Sequence, residues 1–436
     1  MEPITIVSKA REMGINFGNI WFIDIAGKIK TFAFSLDKLE ASLDEGLGFD
    51  GSSVTGFQDI TESDLVIKPD LNTALFLGEE VFGMPSLVFL GNIFTPDYQV
   101  FEGDSRAILR RTVEENLTSS QRLNIGAELE FFFFRANKPR EIIDKGSYFD
   151  MIIFDEATKI LNEIANTLIK LGIDTEYYHH EVADSQFEVD LQYSDAHLIA
   201  DRVIIARAII KKIAAKYGIY ASFMPKPLFK KAGNGLHTHM SIFDGDRNLM
   251  AAEKDLSDFG KSFLTGIIDH IKEIALLTNP TVNSYKRLVP GYEAPVYVAW
   301  GHNNRSTLIR VPQFNAKKPK SIRIEVRNPD PSCNPYLAYA SLFKAGMSGV
   351  KAGLKAPDPI EFNIFDLTQK DVLQKGIDTL PDSLESALNK TKSGTMVKEL
   401  LGAPLYKRYI ALKEDEWKRF SNNVTQWEID EYYYEF

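Results

Sequence analysis

The chain has 436 residues, 44% hydrophobic and 25% charged, which suits a folded globular protein of roughly two or three domains with a large core. Its 60 acidic residues outnumber 50 basic ones, and a formal charge of −10 argues against a general nucleic-acid or anionic-membrane binder. Cys333 is the only cysteine, which excludes an intramolecular disulfide framework and fits a reducing cytoplasm. No apolar run approaches the length of a membrane span, and MEPITIVSKAREMG lacks the basic start and apolar core of a signal peptide.

Residues 4–13 carry a short amphipathic helix pattern closed by Gly14. NIWFIDI (19–25) and IKTFAF (29–34) read as strands joined at Ala26-Gly27-Lys28. Ser35 is placed to cap a helix with Leu36, Leu39 and Leu43 on one face. LVFLGNIF (87–94) is another strand, and TPDYQVFEGD (95–104) reads as a linker. The first hundred residues therefore read as a small sheet with one or two helices. Asp104 is placed to cap a helix reaching about Ser119. Helical patterns recur at 154–171, 195–217, 257–277 and 334–350. Strand patterns lie near 123–134, 173–180, 186–193, 235–243, 307–311 and 322–327. Strands that follow one another without helices between them favour an antiparallel α+β sheet over a doubly wound one. The tail, 381–436, reads as mostly helical.

Chemistry enters with GAELEFFFF (126–134). The aromatic run reads as buried strand, and residues two apart on a strand share a face. Glu128 and Glu130 therefore point the same way and repel, so a cation, arginines or solvent must compensate. The same spacing recurs in His237/His239 and in Glu325/Arg327, and HEVADSQFE adds Glu181 and Glu188. In one sheet, five carboxylates and two histidines would face one cavity, a donor set suited to Mg²⁺ or Mn²⁺ rather than structural zinc. Arg287, Arg305, Arg310, Arg323, Arg327 and Lys320 gather in the same half. Acidic ligands beside arginines point to phosphoryl transfer. No GxxxxGK[ST] is present, so a nucleotide would be held without a P-loop. Singly, an ExE or HxH pair is ordinary and RIEVR reads as a salt-bridged strand; their joint presence carries the argument.

In sequence order, FDGSS (49–53), ESDLVIKPD (62–70), GAELEFFFF, HHEVADSQFE, GLHTHMS, NSYKRLVPGYEAP (283–295), NRSTLIRVP (304–312) and RIEVRNPDPSCNPYLAYA (323–340) resemble the motifs of glutamine synthetases of the prokaryotic dodecameric type. The resemblance implies an N-terminal β-grasp domain over 1–100. It implies a catalytic domain over 104–436, whose antiparallel sheet and flanking helices shape a funnel between neighbouring subunits. It implies ATP-dependent ligation of ammonia to the γ-carboxylate of L-glutamate through γ-glutamyl phosphate. Glu130, Glu181 and Glu188 match the ligands of one divalent metal; Glu128, His237 and Glu325 match those of a second. Arg305 and Arg310 match the arginines that meet the phosphates, and Arg287 and Arg327 those that bind the glutamate carboxylates. His239, Ser241, Lys320 and Arg323 match nucleotide contacts. Glu293 matches a flap glutamate, and Gly233 a substrate glycine. Asp50 matches the aspartate that takes a proton from ammonium, reaching in from the adjacent subunit; Ser53, Tyr148 and Glu181 complete that ammonium site.

This chain departs from the family pattern in four places. Ala232 stands where an asparagine is expected, and Asn234, two positions on, is the candidate substitute. Asn303 replaces the first arginine of an RNR motif. Phe57 replaces a tryptophan, and Phe365, in NIFDL, replaces the tyrosine that bacterial relatives adenylylate. The first two leave a γ-glutamyl–amine (polyamine) ligase as the alternative, while Asp50, Ser53, Tyr148 and Glu181 favour ammonia. A non-catalytic structural relative ranks last, because all six metal positions are kept.

Overall fold

In the computed structural model, which describes residues 2–57, 63–151, 155–253, 255–292, 294–313 and 317–436, two sheets carry the chain. The first comprises β1 (Phe17–Ile23), β2 (Ile29–Ser35), β3 (Leu47–Asp50), β4 (Asp64–Leu77) and β5 (Ser86–Phe94), in the order β2-β1-β5-β4-β3. β1 and β5 are parallel and the other neighbours antiparallel. The near-continuous apolar run of β5 marks a strand covered on both faces. Leu87, Phe89 and Ile93 pack with Ile20, Phe22 and Phe34, and with Ile6 and Ala10 of the helix Pro3–Glu12. Val88 and Leu90, with Trp21 and Leu77, join the core formed by the rest of the chain.

Two local expectations are corrected here. Ser35 precedes a 3₁₀ turn (Leu36–Lys38) and the helix Leu39–Asp44, yet its side chain makes no capping bond. β4 has no counterpart among the strands read from sequence, because Pro69, Asp70 and Asn72 interrupt it. Its register against β5 shifts between Asp70 and Leu75, an irregularity that accommodates those residues.

The second sheet comprises β6 (Gln121–Arg135), β7 (Thr175–His180), β8 (Gln186–Asp195), β9 (Ile219–Ser222), β10 (Leu236–Asp244), β11 (Arg247–Asn248), β12 (Tyr297–His302), β13 (Thr307–Val311), β14 (Ile324–Val326) and β15 (Asp378–Thr379). Its order is β15-β12-β13-β14-β10-β6-β8-β7, with β11 on β10 and β9 on β6. All pairs are antiparallel except β12 with β13. The helix Ala196–Lys216 packs on β6 and β8, and Asp258–Thr278 pairs with Pro335–Ala352. Asp104 and Asn334 cap their helices, accepting from Arg106 N at 3.0 Å and Tyr336 N at 3.1 Å.

Alternation along β6 settles what the aromatic run does. Phe131 and Phe133 enter the helix-side core beside Phe187. Phe132 and Phe134 share the glutamates' face, where their rings stack 5.7 Å apart and pack on Ala183. The strand thus passes from a charged site onto an apolar floor without leaving the sheet.

Arg106, 4% exposed, joins the first sheet to the helix Ala196–Lys216 that packs on the second. Its guanidinium donates to Asp201 at 3.0 and 2.8 Å, to Asp70 at 2.9 Å and to Asn92 at 2.6 Å.

Candidate active site

Strand register turns the period-two motifs into three rows across the second sheet. In one row Arg310 faces Glu325, which faces His239. In the next, His237 faces Glu128, Glu128 faces Asp190, and Asp190 faces Tyr177. In the third, Glu130 faces Glu188, which faces His179. All of these residues except Asp190 line a cavity of about 320 Å³.

Contacts within the rows are short. Glu128 bridges both histidines, at 2.7 Å to His237 Nδ1 and 2.5 Å to His239 Nε2. Arg310 donates to Glu325 Oε2 at 2.6 Å, and Arg327 Nε lies 3.2 Å from Glu325 Oε1. Arg323 Nε donates to His239 Nδ1 at 3.1 Å, and His179 Nε2 lies 3.1 Å from Glu188 Oε1. Burial and sign then divide the carboxylates. Burial raises the Glu128 carboxyl, but His239 and His237 outweigh it and hold the group well below the usual range. Glu188 is pushed well above it, by burial first and then by Glu130, Asp190, Glu128 and Glu181. Asp190 is raised to about 6, by burial and then by Glu128.

This excess of negative charge suits a divalent cation. Among the described residues three sets place a donor atom from each member within 4.8 Å of the others: Glu128–His237–Glu325, Glu130–Glu188–His237 and His179–Glu181–Glu188. They are oxygen-rich with single imidazoles, as Mg²⁺ or Mn²⁺ prefers. The second set expected from sequence appears intact, whereas Glu130, Glu181 and Glu188 fall in two sets that share Glu188.

The other expected residues distribute unevenly. Tyr148, Gly233, Arg287, Arg305, Arg323 and Arg327 line the cavity. Arg305 lies over the Tyr148 ring, 5.6 Å from its centre. Arg287 is buried, and its guanidinium donates to the carbonyls of Asn328 at 2.7 Å and Arg327 at 3.0 Å. The loop before β10 needs its glycines: a Cβ on Gly233 would meet Pro225 O at 2.3 Å, and one on Gly235 would meet Arg287 and His237 nitrogens at 2.8 Å. Ser241 and Lys320 lie outside the lining; Lys320 is exposed, 3.8 Å from Asp246. Asp50, at the end of β3, and Ser53, in the turn Gly51–Ser53 after it, are exposed and also lie outside the lining. Asp50 accepts from Ser52 N at 2.8 Å, Ser52 Oγ at 2.7 Å and Ser53 Oγ at 3.1 Å, and the Ser52 bonds foremost lower its pKa. Glu293 falls outside the described residues.

Asn234 corrects an expectation. It is fully buried, donating to Met224 O at 2.9 Å and Ser222 O at 3.3 Å, so its amide braces the loop behind the cavity wall and does not replace an asparagine at position 232. Asn303 has φ 55°, a left-handed conformation that asparagine tolerates better than arginine does. Phe365 sits in a short turn, its ring 6.0 Å from Tyr297. Tyr177, His179, Gln186 and Asp190 also line or flank the site and were not singled out from the sequence. A signal for them was present: Gln186, Glu188 and Asp190 repeat the period of two, and His179 lies two residues before Glu181.

Two family profiles match the chain, "Glutamine synthetase, beta-Grasp domain" over residues 14–96 and "Glutamine synthetase, catalytic domain" over 102–432. The chain belongs to the glutamine synthetase family. Its chemistry is that family's ATP-dependent ligation. It is 40% identical to a glutamine synthetase of Thermotoga maritima over 99% of both chains. It is also 40% identical to one from Thermococcus kodakarensis, over 95% of this chain and 94% of the other. Among solved structures it is similar to a GmaS/ADP complex, with 27% identity, a TM-score of 0.87 and 98% of each chain covered. Glutamine synthetase of Plasmodium falciparum, 24% identical with a TM-score of 0.87 over 99% of both chains, shares the fold. Among the described residues no helix is long and apolar enough to cross a membrane.

Proposed function

We propose that this chain joins ammonia to the γ-carboxylate of L-glutamate with ATP as phosphoryl donor. The observation that carries the reading is a cavity of two signs: rows of carboxylate and imidazole donors lie beside Arg305, Arg310, Arg323 and Arg327. Transfer of a phosphoryl group from a highly charged nucleotide to a carboxylate makes charge neutralisation the main catalytic demand.

Glu128, Glu130, Glu181, Glu188, His237 and Glu325 would hold two or more Mg²⁺ or Mn²⁺ ions, which when bound neutralise phosphate and carboxylate oxygens. Arg305 and Arg310 steady the transferring phosphoryl group. Arg287 and Arg327 bind the glutamate carboxylates; Arg287 lines the cavity with its guanidinium braced by the backbone carbonyls of Asn328 and Arg327. Gly233 lets substrate approach the backbone. His239, Ser241, Lys320 and Arg323 hold the nucleotide. The γ-carboxylate attacks the γ-phosphorus of ATP, and the bond to ADP breaks. Ammonium loses a proton to Asp50, held with Ser53, Tyr148 and Glu181 around it. Ammonia then attacks the γ-carbon of γ-glutamyl phosphate and phosphate leaves. Glu293 closes over this intermediate.

Asp50 and Ser53 lie outside the cavity of their own chain, which supports a site completed by a neighbouring subunit. The assembly is a homo-oligomeric ring, a dodecamer with its active sites between adjacent subunits, and it works in the cytoplasm. The chain divides into a β-grasp domain, 1–100, and a catalytic domain, 104–436. Phosphate release from glutamate and ATP tests the chemistry, with ammonium compared against putrescine and ethylamine. Release with the amines and not with ammonium would replace ammonia as the acceptor.

A further inference from the structure

We propose that Gln186 is a positioning residue that selects which oxygen of Glu130 is presented to the ions and couples that choice to the glutamate-binding loop. The inference rests on the ligase reading above for the identity of the ions and substrate.

Gln186 begins β8, two residues before Glu188, and is 1% exposed. Its side-chain nitrogen donates to Glu130 Oε2 at 3.1 Å, to Gly233 O at 3.1 Å and to Asn234 Oδ1 at 3.2 Å. Its side-chain oxygen accepts from Ala183 N at 3.3 Å. Three acceptors against the nitrogen and one donor against the oxygen fix the orientation of the amide. Its backbone carbonyl accepts from Glu181 N at 2.7 Å, so one residue touches two candidate metal glutamates and the substrate glycine.

Glu130 Oε2 also accepts from Gly235 N at 2.8 Å. That oxygen is therefore committed to protein donors. Oε1 remains towards the donor cluster, 3.7 Å from His237 Nε2. An amide suits this place better than any charged donor or acceptor. It supplies N–H groups to a carboxylate without adding negative charge to a cluster in which Glu188 is already crowded by four carboxylates. Because the same nitrogen holds the Gly233 carbonyl, a shift of Glu130 and a shift of the substrate loop are mechanically linked.

Gln186→Met keeps approximate volume and removes the donors. Mn²⁺ binding to the whole protein, followed by the electron paramagnetic resonance of free Mn²⁺, should weaken about tenfold, the usual cost of losing a hydrogen bond that orients a ligand. KM for glutamate should rise severalfold while KM for ATP stays unchanged. Gln186→Asn, which withdraws the amide by one methylene, should move the same two constants in the same direction. A folded variant with unchanged Mn²⁺ affinity and glutamate KM overturns the proposal. So does a lower yield of active protein whose constants are those of wild type. If neither variant folds while Glu130→Gln does, the amide serves the fold and not the site, and the proposal fails. Absence of phosphate release from wild type would reject the ligase reading alone, because Mn²⁺ binding would still judge Gln186.

Discussion

Asp50 and Glu130 are both strand carboxylates, and the two sheets treat them in opposite ways. Asp50 ends β3 in the open, and its three hydrogen bonds come from residues two and three positions along the chain. Its charge is satisfied locally and needs nothing from the second sheet. Glu130 is 6% exposed and Glu188 5%, and their neighbours include further carboxylates. Glu130 is held by Gln186 and by Gly235 N, and Glu188 by His179, groups brought together from distant parts of the chain, and the charge left over suits a divalent cation. A locally satisfied charge can be carried to the edge of a molecule and offered to another chain. A collectively satisfied one stays where the sheet register assembles its partners.

The largest effects should come from exploiting that contrast. Glu130→Gln removes charge but little volume, so turnover should fall by about a hundredfold or more while the fold survives. Phosphate release and thermal unfolding measured together check this. Asp50→Ala should also be inactive or nearly so with ammonium, yet leave ATP binding and the unfolding temperature unchanged. If each site joins one region from each of two chains, subunits of the two variants dissociated and mixed should recover activity, since some boundaries then carry both wild-type residues. A ring uses head-to-tail interfaces of this kind. No recovery in verified mixed rings would place the whole site within one chain.

Much of the second region was legible because charge on a buried strand is rare and its period of two is simple. Glu128/Glu130, His237/His239 and Glu325/Arg327 each mark a face, and the rows above follow once the register is known. The register itself was not legible, since it depends on which strands pair. That is why Glu188 belongs to two donor sets where the family match implied one. His179 and Gln186 were missed for another reason: they are not carboxylates, and their importance lies in what they hold. In the first region β4 escaped notice because Pro69 and Asp70 look like a turn, and only its pairing with β5 keeps the chain extended across them. Asn234 looked like a displaced substrate contact; burial and two backbone carbonyls decide otherwise.

The next largest effect should lie at the junction, where both regions depend on one buried cation. Arg106 answers Asp70 and Asn92 of the first sheet and Asp201 of the helix Ala196–Lys216, and Tyr336 Oη donates to Asp201 at 2.6 Å. Arg106→Met would strand the carboxylates without a cation, at a cost of about 3–5 kcal/mol. Denaturant unfolding should register that loss as one cooperative transition. Loss of the first sheet alone, with the catalytic sheet intact, would show that the shared core of Trp21, Val88 and Leu90 does not bind the regions into one unit.

A smaller effect of defined sign should come from His197 beside that junction. Burial above all lowers its pKa to about 4, with Arg106 and Arg110 adding to the shift and Asp201 and Asp70 opposing it. Arg110 lies 3.3 Å from Nε2, which favours an unprotonated nitrogen there, and Nδ1 lies 3.9 Å from Asp201. The unfolded chain takes up a proton near pH 6.5, whereas the folded one resists until about 4. Stability from this residue is therefore complete above the unfolded value and is lost as pH falls from 6.5 towards 4. The loss amounts to about 3 kcal/mol at most. His197→Gln should flatten the stability profile across that window. Asp70, whose pKa Arg106 lowers against burial, contributes its own loss only at more acid pH and should be untouched by the substitution. Denaturation at constant ionic strength from pH 7 to 4 separates the two. An unchanged slope in the variant would mean that the junction tolerates a charged imidazole, and the acid sensitivity of the molecule would then arise elsewhere.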